Sequence, residues 1–200
     1  MANEIEKMVF QEEEKASPCN QSFAWFTERL SAEEVEEDTL NAAMDYCMYL
    51  RIQGAYSQQE PLLVLLITHL LRKQAFQRAG NALILLGDIF LHKGLEEEAV
   101  FEHRQAAAYL KKGDVSSSLS LAQFKLASLL EQQEKNTEAA QKYLEAGSGF
   151  YDLNDYKMAE DLFSRAKRIL FDCGCSLTAS YAYCLSNLAM VYGKTLSRRR

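Results

Sequence analysis

The chain has 200 residues, enough for one large domain or a short repeat array, with 48 % hydrophobic and 25 % charged side chains. Two prolines and nine glycines favour long helices joined by tight turns over a strand-rich fold. The net charge of −6 is concentrated at the start, where residues 1–40 hold eleven acids against Lys7, Lys15 and Arg29; such an acidic head excludes nucleic acid as the main ligand, since phosphate binding needs a basic footprint.

The first residues lack the basic-then-apolar pattern of an export signal. The most apolar stretch, 62–71, is broken by Thr68 and His69 and is about half of what a bilayer-spanning helix needs. Five scattered cysteines, Cys19, Cys47, Cys173, Cys175 and Cys184, suit a reducing compartment. The expectation is a cytoplasmic protein with no membrane span.

In chain order, 1–30 reads as an acidic, poorly packed arm. Residues 31–79 form a divergent helical hairpin. Ser31 followed by Glu34 is a capping box opening a helix through Ala42, Cys47 and Leu50. Pro61 suits the first turn of a second helix, with Leu62, Leu65, Leu66, His69, Leu70 and Ala75 following at helical spacing. Repeats occupy 80–195. A helix over 80–92 ends at Gly94, and one over 96–111 ends at Gly113. Ser118 or Ser120 caps a helix to about Gln133, and Asn136 caps the next. After the Leu153-Asn154-Asp155 turn comes a helix over 156–171. Gly174 and Ser176 then lead into a last helix through about Tyr192, and 196–200 is a basic tail.

Within this series Leu86-Gly87 aligns with Leu126-Ala127, Ala99 with Ala139, His103 with Tyr143 and Ala106 with Ala146, at a constant offset of forty. Small residues at such places let neighbouring helices approach closely, and a single hairpin cannot bury its own apolar faces, so the units must stack. Ala159, Phe163 and Ala166 repeat the second-helix pattern. That creates a conflict of parity: 137–153 serves as a second helix, yet Tyr143, Gly147 and Phe150 also suit a first helix. The array is expected to slip by one helix there.

These marks resemble the tetratricopeptide repeat family. The resemblance rests on 81–90 with Gly94, Ala99 and Ala106, and on Asn187-Leu188-Ala189-Met190-Val191-Tyr192-Gly193, which is similar to a first helix of kinesin light chains and spindle-orientation scaffolds. Their longer repeats also match the spacing of forty. The resemblance implies an all-α, tetratricopeptide-like α-solenoid of antiparallel helical hairpins that holds a peptide or helix of another protein in its concave groove. By the family's pattern the groove-facing residues are Ile84, Asp88, Leu91, Leu121, Phe124 and Ser128. Ile84 and Asp88 stand where the carboxylate clamp of some co-chaperones has lysine and asparagine, which disfavours an acidic chaperone tail. The alternative is a structural or self-associating module without a groove ligand.

No catalytic residue, metal ligand or cofactor is expected. Gly193-Lys194-Thr195 ends like a phosphate-binding loop, but Leu188 stands where the motif needs glycine and a helix precedes it. Cys173, Cys175 and Cys184 lack a fourth zinc ligand. His69, His92 and His103 lie on different helices without a nucleophile, His103 at a position where relatives carry a core aromatic, and Glu96, Glu97 and Glu98 complement a helix dipole. The last helix carries more apolar residues than one neighbour can cover. It predicts a shortened form of a longer repeat protein that self-associates through this end.

Overall fold

The computed structural model describes residues 22–112 and 117–197. The first 21 residues of the acidic arm, the predicted stop at Gly113 and the three terminal arginines lie outside them. Among the described residues there are nine α-helices and no strand: α1 Phe23–Leu30, α2 Glu37–Ile52, α3 Tyr56–Arg72, α4 Phe76–His92, α5 Glu96–Leu110, α6 Ser117–Gln132, α7 Asn136–Asp152, α8 Tyr156–Asp172 and α9 Ala179–Ser197. They divide into two compact units between Ala75 and Phe76.

In the first unit, α1 is a packed helix and not part of a loose arm. Ser22 caps it by accepting from the Trp25 amide at 3.3 Å. Phe26 and Leu30 are buried, and the Phe26 ring stacks on Tyr46 of α2 at 4.7 Å. The Leu30 carbonyl, left open at the helix end, accepts from His69 Nε2 of α3 at 2.8 Å. The capping box at Ser31 does not form. Ser31 closes α1, its hydroxyl donating to the Thr27 carbonyl at 2.7 Å, and α2 starts later, behind Glu36. Pro61 is the sixth residue of α3, beyond the first turn. It is tolerated because it lies on the exposed side, where the missing donor costs least.

The second unit packs α4 on α5, α5 on α6, and so on to α8 on α9. Its described turns share one mechanism. Left-handed backbone occurs at Gly94, Glu134, Asn154 and Gly174, and in the first unit at Gly54 and Gln74, all on one spacing of twenty. At each the next amide reaches back to a carbonyl five residues earlier, as in Leu95 to Phe90 and Lys135 to Leu130, both 2.9 Å. That is the Schellman arrangement, which satisfies orphan carbonyls. After Gly54, Gly94, Glu134 and Asn154 the next residue also serves as N-cap of the following helix. Lys135 therefore holds the place predicted for Asn136, with no side-chain cap. The backbone turn sets the boundary, whatever the side chain.

Small residues sit where helices cross. A Cβ on Gly80 would lie 2.5 Å from Leu110 Cγ, one on Gly87 2.8 Å from His103 Cε1, and one on Gly147 2.7 Å from Phe163 Cε1. One core layer gathers Ala99, Val100, Leu126, Leu129, Leu130 and Ala139. A larger one centres on Tyr143, Phe163, Leu188 and Val191. Next-but-one backbone neighbours run from α4 to α6 but then from α7 to α9, so the alternation shifts by one helix at α7. The twenty-residue spacing permits that shift without changing any turn length.

Candidate functional site

Helices α4, α5 and α6 enclose a hollow of about 170 Å³ lined by Asp88, Leu91, His103, Phe124, Lys125, Ser128, Leu129 and Gln132. Asp88 and Leu91 lie three apart on α4, and Phe124 and Ser128 four apart on α6, so each pair shares a helix face. The antiparallel α4/α5 hairpin puts His103 between them as the floor.

Four of the six groove positions implied by the sequence, Asp88, Leu91, Phe124 and Ser128, converge on this hollow. Leu121 is exposed on α6 one turn before Phe124 and extends the same stripe outside it. Ile84 is a correction: it is buried and does not line the hollow. Every residue from Ala82 to Gly87 is buried, because α4 is apolar around its whole circumference there and keeps no open face for Ile84.

Lys125 was not foreseen. Its Nζ donates to Asp88 Oδ1 at 2.7 Å, across from α6 to α4. A lysine between Phe124 and Leu126 reads in sequence as an ordinary solvated position, and only the packing of α6 on α4 turns it inward. The ion pair is partly buried and joins the two helices at the rim of the hollow.

His103 Nε2 lies 3.7 Å from the same Asp88 oxygen, too far for a hydrogen bond, and Nδ1 is buried without a partner. Burial pushes the imidazole down to about 4, Asp88 pulls it up, and Lys125 adds to the depression. The ring is therefore neutral at neutral pH and packs flat against Gly87, as expected of a core histidine.

Behind the hollow a polar bracket ties α6 to α7 and α8. Tyr143 donates to Glu131 Oε2 at 2.7 Å and Arg165 Nε to the same oxygen at 2.8 Å, with the guanidinium 5.1 Å above the Tyr143 ring. Burial, then the bond to Glu131, holds the Tyr143 phenol up at about 12. Phe124 leans on this Tyr143 ring, centroids 6.4 Å apart, and so presents a fixed edge to the hollow.

The other chemistry considered in the sequence is not assembled. Cys184 is buried while Cys173 is exposed, and among the described residues no three His, Cys, Asp or Glu side chains are placed to hold a metal ion. Lys194 and Thr195 are inside α9, where the Thr195 hydroxyl donates to the Tyr192 carbonyl at 3.1 Å. A larger hollow of about 620 Å³ in the first unit is lined by Glu33, Glu34, Glu36, Arg72 and Lys73 with Val35 and His69; its charges are exposed, and no predicted site residue reaches it. Among the described residues no helix is long and apolar enough to cross a membrane.

No protein-family model and no curated protein matches the chain in sequence. Among solved structures, BtubC (BKLC) from P. vanneervenii is similar, with a TM-score of 0.62 and 11 % identity, covering 86 % of this chain and 70 % of that one. Two further structures match with TM-scores too low to carry weight. The kinesin light chain TPR-like repeats from Podosopora anserina give 0.43 at 15 % identity, over 80 % of this chain and 88 % of that one. A signal-transduction ATPase with numerous domains and a tetratricopeptide repeat sensor, from Pyrococcus horikoshii, gives 0.42 at 16 %, over 94 % and 37 %. At these identities the likeness extends to the fold alone. With Schellman turns between successive helices and small residues at the α4/α5 and α7/α8 crossings, the described residues form an all-α, tetratricopeptide-like helical repeat array.

Proposed function

We propose that this protein is a binding module, not an enzyme, and that a segment of a partner protein docks in the groove over α4 and α6. The observation that carries this reading is the convergence of Asp88, Leu91, Phe124 and Ser128 on one hollow. At about 170 Å³ it is smaller than the roughly 300–1,000 Å³ typical of small-molecule and cofactor sites, and suits a single inserted side chain. Leu91, Phe124 and Leu129 offer apolar walls, while Asp88 and Lys125 offer an acceptor and a donor at the rim. An apolar anchor residue flanked by backbone amide and carbonyl groups satisfies both, as in helix-in-groove or extended-peptide recognition. The neutral, buried His103 floor contributes shape without charge. A cytoplasmic location goes with this reading, because the thiols at Cys47 and Cys184 are unpaired.

The experiment compares the intact chain with Leu121→Ala/Phe124→Ala in selection from a displayed peptide library. Leu121 is exposed and Phe124 half-buried, so the double variant keeps its fold. Peptides enriched by the intact chain should bind the variant at least about tenfold more weakly, the effect of losing one anchor contact of 1.4 kcal/mol or more. Equal binding by the two proteins, with matching thermal melts, overturns the groove assignment. A large loss of melting temperature would instead place Phe124 in the core.

A further inference from the structure

Of the six left-handed turns among the described residues, only the one between α8 and α9 is flanked by two thiols. Gly174 is its left-handed residue, at φ 75°, with Cys173 before it and Cys175 after it. Other turns carry Gln53 and Ala55, Lys73 and Ala75, or Leu153 and Asp155 at these two places, and the backbone closes there equally well. The fold therefore does not need sulfur at this turn. The core does not need it either: Cys47 and Cys184 are buried as small hydrophobes, whereas Cys173 is exposed and Cys175 half-buried. The exposure of Cys173 comes with its place in the turn. Gln53, Lys73, Lys93 and Leu153 are exposed at the equivalent place, although further helices follow them.

The backbone holds the two cysteines in place. The Cys173, Gly174 and Cys175 amides donate to the Ile169, Phe171 and Leu170 carbonyls at 3.0, 3.0 and 2.7 Å. Two Cα steps of about 3.8 Å, folded at a left-handed residue, keep the Cα atoms of Cys173 and Cys175 within the roughly 4.4–6.8 Å that a disulfide spans. The Cys173 thiol donates to the Leu170 carbonyl at 3.5 Å, and the Cys175 sulfur lies 3.8 Å from the Cys173 carbonyl. A hydrogen bond between the two side chains, and then burial, hold the Cys175 thiol above its usual range. A Cβ added at Gly174 would meet nothing within 4 Å, so the turn is open to an approaching reagent.

We propose that Cys173 and Cys175 are a redox-active dithiol that exchanges with disulfides and closes reversibly into a disulfide across Gly174. The co-reactant is a low-molecular-weight disulfide, RSSR. The thiolate of the exposed Cys173 attacks one of its sulfurs, the S–S bond breaks, and the departing RS⁻ takes up the proton that Cys173 gave to solvent. Cys175 keeps its proton longer and, half-buried beside Cys173, meets the mixed disulfide sooner than the reagent. It then attacks Cys173 Sγ, and the second RS⁻ leaves with the Cys175 proton. The chain is oxidised by the loss of two hydrogens, and one RSSR is reduced to two RSH. The ring that closes spans a single intervening residue, too short for relaxed geometry, so the bond is strained and readily reduced. In a reducing compartment such a bond forms and is undone as the supply of disulfide changes.

The test treats the full folded chain with glutathione disulfide at neutral pH and then alkylates the remaining thiols after unfolding. The tryptic peptide 169–194, which also holds Cys184, is weighed and fragmented. It should be two hydrogens lighter before alkylation, with Cys184 its one alkylated cysteine, and dithiothreitol should reverse the change. Cys175→Ser should hold at least about tenfold more glutathione on Cys173 than the parent, whose intramolecular second step clears the mixed disulfide. Both Cys173→Ser and Cys175→Ser should melt as the parent does, since neither thiol is in the core. A peptide that is not oxidised in the folded chain, a Cys175→Ser chain with no more mixed disulfide than its parent, or a disulfide that includes Cys184 overturns the inference.

Discussion

Substituting Gly87 by alanine places a Cβ 2.8 Å from His103 Cε1 and 3.0 Å from each ring nitrogen. The ring has little room to yield, because His103 is only 1 % exposed. Two effects compete. Alanine in a helix interior is favoured over glycine by about 1 kcal/mol, while overpacking a core contact costs about 1–3 kcal/mol. With His103 in place the second effect prevails, and Gly87→Ala should destabilise by up to about 2 kcal/mol. With His103→Ala the obstacle is gone, and the same substitution should stabilise by about 1 kcal/mol. Urea denaturation of all four proteins of this cycle, followed by far-UV circular dichroism, gives the coupling directly. A cycle additive to within about 0.5 kcal/mol, or a Gly87→Ala variant more stable than its parent, refutes the close crossing of α4 and α5.

The buried imidazole also makes stability depend on pH. Its folded pKa of about 4 lies below the unfolded value near 6.5, so the unfolded chain binds the proton first. The stabilisation is complete above pH 6.5 and is lost as the pH falls toward 4. Between pH 7 and pH 5 the loss should be about 2 kcal/mol, and His103→Gln should remove that part of the slope; an identical slope in both proteins would contradict it. Tyr143→Phe deletes a donor to Glu131 while Arg165 stays in place, and should cost about 1–2 kcal/mol in the same denaturation assay. Glu134 holds a left-handed conformation at φ 58°, so Glu134→Gly should raise stability by about 1 kcal/mol; a lower melting temperature would argue against that turn.

The helices and their crossings were legible because they rest on local signals. Gly87, Ala99, Ala139 and Ala159 mark close approach in any helical context, and Gly94 and Gly174 mark turns with positive φ. Gln74 and Glu134 occupy the same conformation with no such signature, since the adjoining helices impose it. The capping box at Ser31 misled because a short upstream helix claims that serine as its own end. The packing of α1 was missed because the acidic residues before and after it set the reading of the whole arm, although Phe23, Trp25, Phe26 and Leu30 make α1 itself apolar, with Phe26 and Leu30 buried. At the site, the groove positions came from the family's pattern, which places Ile84 on an open face that the packing of α4 does not leave and says nothing of Lys125. Whether a helix is covered on one side or two, and which lysine turns inward, depend on neighbours that one sequence window does not contain.

The spacing of twenty from one left-handed turn to the next has a consequence for how such a chain changes over generations. Where these turns occur, the junction between two helices is closed by its own backbone, while burial still comes from the neighbours. Gaining or losing one helix with its turn leaves every other junction intact, yet it reverses the parity of all helices that follow. Residues that lined the inner surface then face outward, and outward ones turn in. A single duplication of about sixty nucleotides would thus exchange one recognition surface for another in one step, without a compensating change elsewhere in the chain.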